Sequence, residues 1–196
     1  MKLKLKRLMR SGKLIVFAML AFILCSIQMY ADESGNSQYK WNNFSMGYVL
    51  AQNNADFSFG VNITSPYFLW NRVAFRIQGE LVYSGFISSA YDQWQPYYAF
   101  KAGLIGVGYQ SSTNRFYGEG GLLVLLPNLT VSQAEYAVGG YGLFGFEFFL
   151  SGPVSYYIEL GGNGIRITAD NLTGSPDYGK IYFNGFFINV GFRWYF

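Results

Sequence analysis

The last eleven residues, Phe186 to Phe196, alternate with a period of two, and that pattern limits what this chain can fold into more than any other. Phe186, Ile188, Val190, Phe192, Trp194 and Phe196 share one side. Phe187, Asn189, Gly191, Arg193 and Tyr195 share the other. Such a period belongs to an extended strand, whose successive side chains point to opposite faces. One face here is wholly apolar and mostly aromatic, the other mixed and polar. The strand therefore expects an oily medium on one side and a polar interior on the other. A lone strand cannot lie in lipid, because its backbone N–H and C=O groups would lack partners, so it must belong to a closed barrel.

The N-terminal end reads as a leader. Lys2, Lys4, Lys6, Arg7, Arg10 and Lys13 precede the apolar run Leu14 to Ile27, which is shorter than the ~20 residues a spanning helix needs. Small and polar residues follow, and a cleavage after Ala31 assigns 1–31 to a signal peptide, 32–40 to a short periplasmic segment and 41–196 to the barrel. Cys25, the single cysteine, lies inside the leader. Leu24 stands before it, where an acylated lipoprotein cysteine wants a small residue. The formal charge of +3 comes from the leader: six of fourteen basic residues precede Leu14, whereas none of the eleven acidic ones does. What remains is net acidic, which removes the support for a nucleic-acid partner. No later run is long and apolar enough for a transmembrane helix.

Seven further runs share the alternation, and eight strands are expected: Asn42–Gln52, Ala55–Thr64, Arg72–Ser84, Tyr97–Gln110, Arg115–Leu126, Ala137–Leu150, Val154–Gly164 and the closing strand. Bulky apolar side chains take one face of each, for example Phe57, Phe59, Val61 and Ile63, or Phe144, Phe146 and Phe148. The fourth run loses its phase among Gly103, Gly106 and Gly108, which predicts a bulge. Connections alternate between short ones at Ser65–Asn71, Ser111–Asn114 and Ser151–Pro153, and a second set at Asn53–Asn54, Gly85–Pro96, Pro127–Tyr136 and Ile165–Gly179. Short turns at one rim and longer loops at the other are the asymmetry of membrane barrels, with turns and termini in the periplasm and loops outside. A soluble sandwich or lipocalin would turn its aromatic face inward, and an eight-stranded interior is too narrow to hold so many bulky side chains. The expected fold is all-β: an eight-stranded antiparallel up-and-down transmembrane barrel preceded by a cleaved signal peptide.

The opposite face of these strands carries charges of both signs: Arg76, Lys101, Arg115 and Arg193 against Glu80, Glu119, Glu147 and Glu159. Inside a barrel they must pair or cost several kcal/mol each. A salt-bridge belt of Arg76, Glu80, Glu119, Glu147, Glu159 and Arg193 is expected to plug the lumen. Counting residues from the short-turn rim puts Arg76, Glu119, Glu147, Glu159 and Arg193 at similar heights. Arg193 is expected to pair with Glu147, Glu159 or both.

The chain has no histidine, so the usual neutral-pH base and nucleophile triads are missing. No acidic cluster has metal-ligand spacing, and no cofactor is expected.

The final strand resembles the carboxyl-terminal assembly signal of bacterial outer-membrane barrels, a polar residue, a glycine and two aromatics, here Asn189, Gly191, Trp194 and Phe196. With the strand number and rim asymmetry, the chain resembles the small eight-stranded outer-membrane barrels, the family of the OmpA transmembrane domain, the OmpX-like adhesion barrels and the OmpW-like barrels. The resemblance implies residence in the outer membrane as a monomer, contact with its lipid, and insertion by the barrel-assembly machinery through the closing strand. It also implies no enzyme, since the lipid A-modifying and omptin barrels of similar architecture rely on a catalytic histidine. Two roles follow. One is structural or surface-interacting, in adhesion or envelope integrity, with Phe86, Tyr91, Trp94 and Tyr178 as candidate contacts for a surface ligand. The other is an OmpW-like conduit for small hydrophobic molecules, with an apolar upper lumen built from Val82, Leu123, Leu125 and Leu143.

Overall fold

The computed structural model describes residues 41–54, 56–84, 96–171, 179, 181 and 183–196. The expected signal peptide 1–31, the segment 32–40 and the four candidate contacts Phe86, Tyr91, Trp94 and Tyr178 lie outside these residues. Eight strands follow in order: β1 (Ser45–Asn53), β2 (Asp56–Thr64), β3 (Val73–Ser84), β4 (Pro96–Gln110), β5 (Asn114–Leu126), β6 (Ala137–Phe149), β7 (Val154–Gly164) and β8 (Gly185–Tyr195). Each pairs antiparallel with its sequence neighbours, and β8 returns to β1, closing an up-and-down barrel that has no free edge. The closure is tied off beyond the ladder, where Phe196 N donates to Phe44 O at 3.0 Å and Asn43 Nδ2 donates to Phe196 O at 2.9 Å.

The alternation read along the chain becomes the two faces of the wall. Leu122 is 65% exposed and Leu123 is fully buried. Phe57, Phe59, Phe75, Phe100, Phe144, Phe192 and Trp194 stand on the outer face. Tyr156 keeps outward parity between inward Ser155 and Tyr157, yet is largely covered, its ring stacked on Phe148 at 4.9 Å. In β4 the phase holds through Val107 and breaks between Val107 and Tyr109, at Gly108. That bulge returns Gln110 to the register of Arg115.

Glycines divide by face. On the inner face a Cβ at Gly145 would strike the Tyr117 ring, at Gly191 the Tyr157 ring and Tyr48 O, and at Gly161 the backbone of Gly142 and the Phe187 ring. On the outer face Gly118, Gly120, Gly140, Gly142, Gly162 and Gly164 would meet nothing closer than 3.5 Å, and Gly106 nothing at all. A narrow barrel curves its inner face tightly, so inward side chains converge. Tyr117 stands opposite Gly145, Tyr141 opposite Gly121, Tyr157 opposite Gly191 and Phe187 opposite Gly161. Tyr117, Tyr157 and Phe187 thus each lie against the glycine opposite, and the Tyr141 hydroxyl lies against Gly103.

Both ends carry packed chain. At the short-turn rim the residues before β1 leave the ladder instead of extending it from Asn42. Trp41 stacks on Phe149 at 4.3 Å, and Tyr67 N donates to Asn42 O at 2.8 Å. Tyr67 is buried with Arg115 over its ring at 4.3 Å. Burial raises the pKa of its hydroxyl, against the opposing fields of Arg115 and Arg193, so the phenol stays neutral. At the other rim Val131, Ile165, Ile167, Ala169 and Phe183 join one buried cluster with inward Val82, Tyr97, Leu123, Leu125, Leu143 and Phe187.

Candidate functional site

Eight inward charges of β3 to β8 are buried: Arg76, Lys101, Arg115, Arg193, Glu80, Glu119, Glu147 and Glu159. Asp56 of β2 is buried as a fifth acid, so among the described residues the inward acids outnumber the four cations by one. The eight resolve into three clusters.

Nearest the short-turn rim, Glu147 Oε2 takes Arg193 Nη1 at 3.0 Å and Arg115 Nη1 at 3.3 Å. Its Oε1 accepts from Ser155 Oγ and the Tyr195 hydroxyl, each at 2.5 Å. Arg115 also reaches Trp41 O at 2.6 Å, Asn42 Oδ1 at 2.9 Å and Gln110 Oε1 at 3.0 Å. In the middle, Arg76 bridges Glu119 and Glu159, the latter at 2.7 Å. Glu159 further accepts from the Tyr117 hydroxyl at 2.6 Å and Asn189 Nδ2 at 2.8 Å. Glu119 accepts from the Tyr141 hydroxyl at 2.5 Å. Toward the longer loops, Lys101 pairs with Glu80 at 2.6 Å, and Ser58 and Gln78 donate to the same carboxylate. Lys101 Nζ also lies 4.5 Å from the Phe187 ring centre. Taken together, both oxygens of every one of these four carboxylates are engaged by a cation, a hydroxyl or an amide.

Arg193 pairs with Glu147, as one branch of the expectation had it, and Glu159 goes to Arg76. The register explains the choice. Arg193 stands opposite Ser155 on β7, whereas Glu159 stands opposite Asn189, two inward positions away, with Tyr157 between. Five charges at one height is therefore a correction: they form two clusters, with Tyr117 between Arg76 and Arg193, each 5.9 Å from its ring centre. Counting residues from a rim ignores the stagger that a closed barrel imposes on neighbouring strands.

The tyrosines are what sequence reasoning missed. Tyr117, Tyr141 and Tyr195 each give a hydroxyl proton to a belt carboxylate, and Tyr97 gives one to Asp56 at 2.8 Å. Tyr157 links Asn62 Nδ2, from which it accepts at 2.8 Å, to Tyr48 O. The available signal was parity: these tyrosines lie in phase with the inward charges of their own strands.

The four residues of the assembly-like motif split between faces. Asn189 is buried on Glu159, and Gly191 lies against the Tyr157 ring. Trp194 and Phe196 stand exposed on the outside. Val82, Leu123, Leu125 and Leu143 do line the upper interior, where they pack on the loop side chains named above.

A barrel of this geometry has counterparts among solved structures. The N-terminal β-barrel domain of Pseudomonas aeruginosa OprF matches with a TM-score of 0.56 at 13% identity, over 79% of this chain and 98% of that one. The fold is that of the small eight-stranded outer-membrane barrels. The outer membrane protein OprG from Pseudomonas aeruginosa matches with a TM-score of 0.52 at 10% identity, over 78% of this chain and 95% of that one. No family model matches the chain, and no curated protein matches it.

Proposed function

We propose that this chain is an integral outer-membrane protein whose role is structural or surface-interacting, with a lumen closed to solutes. The observation that carries this reading is the complete engagement of the four belt carboxylates inside a wall whose outer face is apolar. A wall so patterned needs lipid around it. Four glutamates so engaged hold the barrel together and have no oxygen left over to take a proton from a substrate, which favours a non-enzymatic role. Side chains packed at both ends favour closure. In this reading the loops face outward and the termini the periplasm. The chain inserts through its closing strand with the barrel-assembly machinery, works as a monomer without cofactor, and offers its longer loops, including Phe86, Tyr91, Trp94 and Tyr178, to a surface ligand.

The test has two parts. Folded chain should migrate faster unboiled than boiled and should float with vesicles; failure of both overturns the membrane reading. Planar bilayers carrying folded chain should show no stepwise conductance above background; steady open channels overturn closure.

One observation favours the conduit as a second reading. Beside the apolar upper interior the outer face of β5 to β7 is bare at Gly120, Gly140, Gly142, Gly162 and Gly164. A wall covered by side chains on one face only parts more readily than one packed on both. Uptake of a small hydrophobic dye into vesicles, blocked by a disulfide between Gly120→Cys and Gly142→Cys, would favour that reading; uptake unaffected by the disulfide would remove it.

A further inference from the structure

The connection between β2 and β3 presents an apolar tip that the barrel itself does not use. Phe68, Leu69 and Trp70 are exposed in succession, and Trp70 is 90% exposed. Leu69, Trp70 and Asn71 all hold left-handed backbone, at φ 47°, 60° and 61°. Side-chain-bearing residues adopt that conformation reluctantly, and three in a row must be held by their surroundings. They are. Phe68 and Val73 pair as an isolated bridge, Phe68 N donating to Val73 O at 2.7 Å and Val73 N to Phe68 O at 3.1 Å. Arg72 N donates to both Phe68 O and Leu69 O at 3.2 Å. The Arg72 guanidinium donates to Val107 O and Gly108 O of β4, at 3.2 and 3.3 Å, and Val107 N donates back to Arg72 O at 2.8 Å. Tyr67, one residue earlier, is locked beneath the barrel.

The direction of the tip follows from parity. Val73 has the outward phase of Phe75 and Ile77, and a directly bridged pair shares a face, so Phe68 continues that outer apolar column past the end of the ladder. Leu69 and Trp70 extend it to the rim, with exposed Arg72 beside them. An amphipathic indole next to a guanidinium, at the edge of an apolar belt, matches the boundary where acyl chains meet anionic head groups. A tip made for a water-borne protein partner would have no reason to stay in line with the lipid-facing column.

We propose that the turn Phe68–Asn71 is a membrane hook: Leu69 and Trp70 seat among the phospholipid head groups and first acyl carbons of the leaflet at the short-turn rim, and Arg72 holds the turn in that pose next to lipid phosphate. This rests on the membrane-barrel reading above. The occupant is phospholipid.

The chain's other tryptophans are Trp41, Trp94 and Trp194. The test uses the purified chain with these replaced by Phe, leaving Trp70, in vesicles of phosphatidylcholine and phosphatidylglycerol. A second variant keeps only Trp194, on the outer face of β8. Trp70 emission should shift to the blue, resist aqueous acrylamide, and be quenched more by lipids brominated near the head group than by lipids brominated deep in the chain. Trp194 quenched by brominated lipid while Trp70 stays red-shifted and open to acrylamide overturns the hook and leaves the barrel reading standing; such a tip would be free for a soluble protein partner. Neither residue quenched by any brominated lipid overturns both. Should the triple replacement fail to fold, the difference between the unaltered chain and Trp70→Phe reads the same signal.

Discussion

Glu147 is the hinge of the lower cluster, and Glu147→Gln is the most direct trial of the belt. The substitution keeps the volume of the side chain and leaves one amide oxygen to accept from Ser155 and Tyr195, but puts an uncharged NH2 donor in place of the oxygen shared by Arg115 and Arg193. The two arginines do not suffer equally. Arg115 keeps Trp41 O, Asn42 Oδ1 and Gln110 Oε1. Arg193 Nη1 keeps only a 3.5 Å approach to the Tyr195 hydroxyl among the described residues. Breaking a buried pair by removing one partner costs about 3–5 kcal/mol. Because Arg115 stays satisfied, the lower end applies, about 3 kcal/mol, carried mostly by the stranded Arg193. With a urea dependence of about 1–3 kcal/mol per molar, the unfolding midpoint should fall by about 1–3 M. Arg193→Met in the same chain should restore most of the loss, since a buried pair exchanged for apolar side chains of similar volume is often neutral. A cycle of the unaltered chain, the two singles and the double should therefore show a coupling of about 2–3 kcal/mol. The assay is urea unfolding in detergent micelles, followed in parallel by tryptophan emission and by the boiled-against-unboiled shift on gels. An unmoved midpoint for Glu147→Gln, or a double variant as unstable as the two singles added, would refute the claim that these groups form one electrostatic unit.

Gly145→Ala and Gly106→Ala should differ sharply in the same assay. The first drives a methyl into the Tyr117 ring and should lose about 1–3 kcal/mol, whereas the second enters open space and should stay within about 0.5 kcal/mol. Tyr141→Phe strips Glu119 of its hydroxyl donor and should lose about 1–3 kcal/mol, and a second change, Glu119→Gln, should add less than its own separate effect. Asn189→Ala should lower stability by a similar amount through Glu159, while Phe196→Ala should leave the urea midpoint nearly unchanged and slow insertion into membranes in cells. Equal effects of those two changes on both readouts would contradict the split between inner and outer faces.

Much of the architecture was legible because a barrel wall writes itself in a period of two. All eight strands appear within three residues of their expected bounds, and the inward charges are inward. The pairings inside were harder to read, for a definite reason. Parity tells which face a side chain takes, but not how far each strand has slid past its neighbour. Arg193 and Glu159 sit on adjacent strands with matching parity, and two inward positions of stagger separate them. The start of β1 was placed too early, at Asn42, for a different cause: Arg115 and Tyr67 hold Trp41 and Asn42 beneath the barrel, partners that no local alternation reveals. The tyrosine partners were overlooked because Tyr serves on either face. Tyr48 and Tyr98 point out; Tyr117 and Tyr157 point in.

The closing strand answers two demands at once, and separating them changes how its motif is read. A polar residue, a glycine and aromatics at alternate places resemble a recognition signal. The interior asks for much of the same pattern on its own account. Asn189 is needed because Glu159 has one oxygen on Arg76 and Tyr117 and the other still to satisfy. Gly191 is needed because the Tyr157 ring lies against its backbone. Arg193 is needed because Glu147 carries a charge that Arg115 alone only partly offsets, its nearest approach being the longer 3.3 Å. None of these three requirements refers to an assembly factor. The outward pair does not share them: Trp194 and Phe196 are exposed, and no inward group depends on either ring. Any recognition by assembly machinery that goes beyond what folding demands must therefore be carried by the outer face of β8 and its terminal aromatic, which is why the contrast between Asn189→Ala and Phe196→Ala separates the two roles.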